Sequence, residues 1–165
     1  MLSSQPLAAA LDMLVTELPT LRFAVAALDG WPDVEEVSRD LGTRSQPLQD
    51  ISYLGLHKVL AAADRPGAPA LQKLRFPGNS QLISCTRGPL AQRLAGRLEG
   101  GAKTLQAALA HWLIGRHAAH LAHQIDREKI TVWVRLHDVD EEQRAYRSLL
   151  ARSSNSVGVH DLVGP

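Results

Sequence analysis

Between residues 65 and 101, four proline- or glycine-bearing breaks cut the chain: Arg65-Pro66-Gly67-Ala68-Pro69, Pro77-Gly78-Asn79-Ser80, Gly88-Pro89 and Gly100-Gly101. Proline lacks a backbone N–H and glycine is costly to order, so neither sits well inside a helix or a central strand. The pieces between the breaks must be short. Ala70–Phe76 and Gln81–Cys85 read as two strands around a turn. Gly88-Pro89 opens a helix whose first-position proline sacrifices no hydrogen bond; Leu90, Leu94 and Leu98 form its apolar stripe, and Gly100-Gly101 ends it. Thr104 is an N-cap for a longer helix running to about Gln124, with Leu105, Leu109, Trp112 and Leu113 on one side. Ile130, Val132, Val134 and Leu136 alternate with Thr131, Trp133 and Arg135, the pattern of a half-buried strand. Asp138 and Glu141 make a capping box for a helix through Ala145, Leu149 and Leu150, and the tail from Ser153 reads as loop.

From residue 70 the order is therefore β-β-α-α-β-α. The expected class is α+β, a small, mostly antiparallel sheet flanked by helices, with Ala70–Cys85 forming a hairpin beside Ile130–Leu136. Upstream, residues 6–18 have the spacing of an amphipathic helix stopped before Pro19. Leu21–Leu28 is an apolar run, a buried strand by length but too short to separate from a helix. Val34–Leu41 reads as a short acidic helix ending at Gly42, Thr43–Gln49 as a connector and Ile51–Ala63 as a helix. No internal repeat stands out. The expected division is an acidic, mainly helical extension over 1–50 and an α+β domain over 51–165.

Composition narrows the chemistry. The 165 residues are 45% hydrophobic and only 4% aromatic, enough for one core built of Leu, Ala and Val. Cys85 is the single cysteine, which excludes an internal disulfide and a cysteine zinc cage and fits a reducing cytoplasm. It reads as a small buried hydrophobe. No apolar run approaches the ~20 residues of a membrane span, and the start lacks the basic flank of a cleaved leader.

The near-neutral total of 18 Lys+Arg against 17 Asp+Glu hides a gradient. Residues 1–50 hold three basic and eight acidic side chains, whereas residues 51–104 hold eight basic and two acidic. The basic middle is where an anionic partner is attracted. Arg93 and Arg97, four apart, share a helix face offset from the leucine stripe. With Arg87 before the helix and Lys103 after it, they form a phosphate cradle aided by the helix N-terminus. A rival set, His111, His117, His120 and His123, falls on the expected long helix, but its spacing drifts around the axis and reads as core-edge or partner contact rather than metal. No Gly-x-Ser-x-Gly elbow supports serine catalysis.

The run Ile83-Ser84-Cys85-Thr86-Arg87-Gly88-Pro89-Leu90-Ala91-Gln92-Arg93-Leu94, followed by Gly100-Gly101-Ala102-Lys103-Thr104-Leu105, resembles the GIY-YIG nuclease family over roughly residues 70–157. That family has a hairpin, a helix with an arginine ten residues after its second tyrosine, a Gly-rich stretch, then a strand and a helix bearing a metal-binding glutamate. A competing register on Tyr53-Leu54-Gly55 places Ala63 at the arginine position, so the later one is preferred. The resemblance puts Arg93 at the catalytic arginine, while Ile83 and Cys85 replace the tyrosine and glycine. Tyr146 falls at the glutamate position and Glu142 lies one turn earlier. It implies a catalytically degenerate domain that binds nucleic acid, DNA favoured, or a partner protein through Arg87, Arg93, Arg97 and Lys103, with no cofactor. The enzyme alternative is an endonuclease using Arg93, Glu142 and Tyr146, with Mg or Mn on Glu142. The third is a structural or regulatory subunit.

Overall fold

The structure, a computed structural model, describes residues 20–42, 51–62, 70–153 and 157–164. The expected helix at 6–18 and the connector at 43–49 lie outside them. In chain order the elements are β1 (Leu21–Leu28), α1 (Trp31–Gly42), β2 (Ile51–Leu56), α2 (His57–Ala61), β3 (Leu71–Leu74), β4 (Ile83–Thr86), α3 (Pro89–Glu99), α4 (Leu105–Leu109), α5 (Gly115–Asp126), β5 (Ile130–Arg135), α6 (Val139–Arg152) and β6 (Gly158–Leu162). The class is α+β. One six-stranded sheet runs β3-β4-β2-β5-β1-β6, and every neighbouring pair is antiparallel.

Residues 21–42 are not an appended arm. β1 pairs with β5 on one side (Val25 opposite Trp133) and β6 on the other, and α1 packs on the same sheet. The division at residue 50 therefore does not separate two units. The expected helix over Ile51–Ala63 is a strand up to Leu56, followed by the five-residue α2. Its register explains why. Ile51 and Tyr53 face one core while Leu54 and Leu56 face the other, so the segment is apolar on both sides and carries no clean period of two.

The expected long helix from Thr104 is broken. Thr104 does cap α4, its hydroxyl accepting from the Ala107 N–H at 3.0 Å, but α4 ends at Leu109 and α5 begins at Gly115. A continuous helix over these twenty-odd positions spans ~30 Å, against ~20 Å for a six-residue strand. Two short helices let Leu105, Leu109, Leu113, Leu121 and Ile125 all reach the core. The hairpin β3–β4 forms as expected (Leu74 opposite Ile83), but β2 stands between it and β5. The tail is not all loop, since β6 closes the sheet edge.

Strand parity splits the interior. Phe23, Leu54, Cys85 and Trp133 face a core covered by α3, α4 and α5; Ala24, Tyr53, Val132 and Val134 face one covered by α1 and α6. The connectivity hides a repeat. β1-α1-β2 leaves a gap that β5 fills, and β5-α6-β6 leaves one that β1 fills, with α1 and α6 on one face. These are interleaved split β-α-β units, the plan of ferredoxin-like sheets. Leu28, Val37 and Leu41 of the first unit stand where Leu136, Ala145 and Leu149 stand in the second, all in the same core. The elements α2 to α5, between the units, add two strands and roof the second face.

Two glycines test this packing. The Gly78 N–H donates to the Lys103 carbonyl at 2.6 Å, and a Cβ there would lie 2.8 Å from Thr104 Cγ2 and 2.9 Å from Lys103 O. Gly78→Ala should lower stability by about 1–3 kcal/mol. Gly96 lies on α3, where an added methyl would meet nothing within 4 Å, so Gly96→Ala should gain about 0.4–1 kcal/mol. Urea midpoints of the two variants, shifted in opposite directions, check both.

Candidate functional site

α3 starts where β4 ends, so the arginines are set by a strand-to-helix turn. The Arg87 N–H is held by the Ala70 carbonyl at 3.0 Å, which ties the turn to the start of β3. Gly88, at φ 155°, is the N-cap and has nothing within 4 Å of a would-be Cβ, leaving the helix entrance open. Leu90, Ala91 and Leu94 anchor α3 in the core, and Arg93 and Arg97 flank that stripe half-buried, each with its Nε out of solvent. Arg87 and Lys103 are exposed. Among the described residues Arg87, Arg97 and Lys103 make no ion pair.

A residue outside the sequence-derived set completes this region. Arg135, at the end of β5, shares the side of the sheet that Trp133 faces and lies close enough to Arg93 to act on its ionisation. Burial, then the Arg135 charge, lowers the Arg93 guanidinium below its ordinary value. The group stays protonated at neutral pH. The alternation that identifies β5 assigns Arg135 to the solvent side and gives no hint of this influence.

The whole layer shares that sign. Residues 87–127 carry Arg87, Arg93, Arg97, Lys103, Arg116 and Arg127 against Glu99 and Asp126. Helices α1 and α6, on the opposite face, carry seven carboxylates against four arginines. The charge gradient along the chain becomes a difference between two faces.

Glu142 and Tyr146 are not brought to Arg93. Both lie on α6, across the sheet from α3. Glu142 accepts from Arg22 Nη2 at 2.7 Å and Nε at 2.9 Å, while Arg22 Nη1 donates to both Asp161 oxygens at 2.9 and 3.1 Å. These contacts, Glu142 first and Asp161 second, raise the Arg22 pKa. Glu142 Oε1 accepts both of the bonds from Arg22, tying α6 to β1. Tyr146 is 40% exposed on the outer side of α6. A centre combining Arg93, Glu142 and Tyr146 is therefore not assembled.

The histidines also disperse. His111 falls in the break between α4 and α5, against Trp112, while His117, His120 and His123 lie on α5. Among the described residues no group of three or more His, Cys, Asp or Glu is placed to hold a metal. His117 instead meets His160 of β6, ring centroids 5.3 Å apart. Cys85 is fully buried, and burial pushes its thiol pKa up. His57 Nδ1 is hydrogen-bonded to Ser84 Oγ, but Ser84 is itself fully buried, so the pair is a structural clasp.

No family of known proteins matches the chain, nor does any curated protein or solved structure.

The His117–His160 contact sets a pH dependence. Burial, then His117, lowers the His160 pKa, with Asp161 opposing. Below the unfolded value of about 6.5 the unfolded chain binds the proton more readily than the folded one. Stability is therefore full above that value and falls as pH drops through the folded one. His160→Gln should flatten the slope of unfolding free energy between pH 6.5 and 5, by at most about 1.4 kcal/mol per pH unit; an unchanged slope would place the proton uptake elsewhere.

Proposed function

We propose that the chain binds nucleic acid, DNA before RNA, through the α3 side of the sheet and without cutting it. Arg87, Arg93, Arg97 and Lys103 contact backbone phosphates, and the open start of α3 receives one phosphate oxygen. The reading takes Arg93's role from the resemblance to GIY-YIG domains. The observation that carries it is the start and flank of α3, where Arg87, Arg97 and Lys103 make no ion pair among the described residues, in a layer where basic groups outnumber acidic ones. Guanidinium forks suit phosphate oxygens.

Affinity for a duplex should fall steeply with salt. Arg93→Ala should weaken binding evenly across sequences and make the log–log salt slope shallower by about one. Fluorescence anisotropy over a salt series measures this. Equal affinity and slope for wild type and an Arg87→Ala/Arg93→Ala/Arg97→Ala triple variant, with the melting temperature retained, would refute the assignment.

The metal-dependent alternative is tested separately, by nicking of supercoiled DNA with Mg²⁺ or Mn²⁺. The expected outcome is no nicking. Nicking that persists in Glu142→Ala would show a metal bound elsewhere, and nicking lost in that variant would restore the enzyme reading.

A further inference from the structure

Helix α6 turns an apolar line outward. Val139, Gln143, Tyr146 and Leu150 follow one another at steps of four, three and four, the spacing that keeps side chains on one stripe of a helix. All four are exposed. Three of the five large apolar side chains exposed among the described residues, Val139, Tyr146 and Leu150, belong to this line. Apolar side chains exposed singly are ordinary surface and need no explanation. A line of them is different, because the stripe that fills the core, Ala145 and Leu149, is on another side of the same helix.

The line reads the same from both ends. Counting inward, Val139 matches Leu150 and Gln143 matches Tyr146. A second α6 laid antiparallel therefore sets valine against leucine at each end and an amide beside a phenol on either side of the middle. Asp140 and Arg147, seven apart, lie along one flank of the line. Both are exposed, and neither side chain makes a hydrogen bond or an ion pair among the described residues. A two-fold axis across the helices keeps that flank on the same side in both copies, which brings Asp140 of one beside Arg147 of the other.

We propose that the chain forms a two-fold symmetric dimer by antiparallel packing of α6 against α6, the occupant of this face being a second copy. A patch complementary to itself is what such an interface requires and what an unrelated partner does not. Contact along a helix of ~21 Å is at the low end of protein interfaces, so the dimer is reversible rather than obligate. The face lies across the sheet from α3, so dimerisation and nucleic-acid binding fail separately.

Sedimentation equilibrium of the full chain, from micromolar to millimolar concentration, tests this. The weight-average mass should climb towards twice that of one chain. Tyr146→Ser and Leu150→Glu should each weaken association about tenfold with the melting temperature of the dilute protein retained. Ile114→Ser, which removes an exposed apolar group from the other layer, should leave association within about twofold. Asp140→Arg and Arg147→Asp should each weaken it about fivefold, since one reversal disturbs two symmetry-related pairs, and the doubly reversed chain should regain most of the loss. The dimer should persist in the Arg87→Ala/Arg93→Ala/Arg97→Ala variant; its loss there would place the contact on the α3 layer and overturn the proposal. A chain that stays monomeric to millimolar concentration also overturns it, and a Tyr146→Ser variant that then melts earlier shows the line covered from within the same chain. So does a dimer indifferent to Tyr146→Ser and Leu150→Glu, or a double reversal no better than the single ones.

Discussion

Strand β5 is apolar on both faces, and the rest of the fold is arranged around covering them. Ile130–Val134 is buried throughout, with Trp133 in one core and Val132 and Val134 in the other. Its polar groups are satisfied in place. Trp133 Nε1 donates to the Thr131 hydroxyl at 2.9 Å, which donates in turn to the Leu54 carbonyl at 2.7 Å. An unpaired indole N–H or hydroxyl at that depth would cost roughly 1–3 kcal/mol. Trp133 also meets Phe23 edge-on, 5.7 Å between centroids, so one side chain joins the three central strands. A strand of this kind needs helices above and below. Ferredoxin-like pairing of α1 and α6 covers one face, and α3, α4 and α5 cover the other.

Elements announced by local chemistry are legible in the sequence, and elements defined by their neighbours are not. The hairpin, α3 and α6 carry their own punctuation: Pro77-Gly78, Gly88-Pro89, and Asp138, whose carboxylate accepts from the Glu141 N–H at 2.7 Å. β2 looks helical because a strand between two others, buried on both sides, loses its alternation. β6 looks like loop because Gly158, His160 and Asp161 are poor strand formers; what holds it is pairing with β1. The repeat is faint because few aligned positions are identical between the units, Leu28/Leu136, Arg39/Arg147 and Leu41/Leu149 among them.

The candidate site divides along the same line. The shared face of Arg93 and Arg97 follows from helical spacing alone. The company each charged group keeps does not, because Arg93 feels the charge of Arg135 on the same side of the sheet and Glu142 meets Arg22 from 120 positions away. The same carboxylate that a linear reading assigns to metal is engaged as a tie between a helix and a strand.

Cys85 sits at the heart of this arrangement, in β4 and sealed beneath α3. A thiol held so far from water reacts only when the roof lifts, which makes it a stopwatch built into the molecule. How quickly a coloured disulfide reagent tags that sulfur reports the frequency with which the helical cover parts from the strands beneath, with no cysteine having to be engineered in.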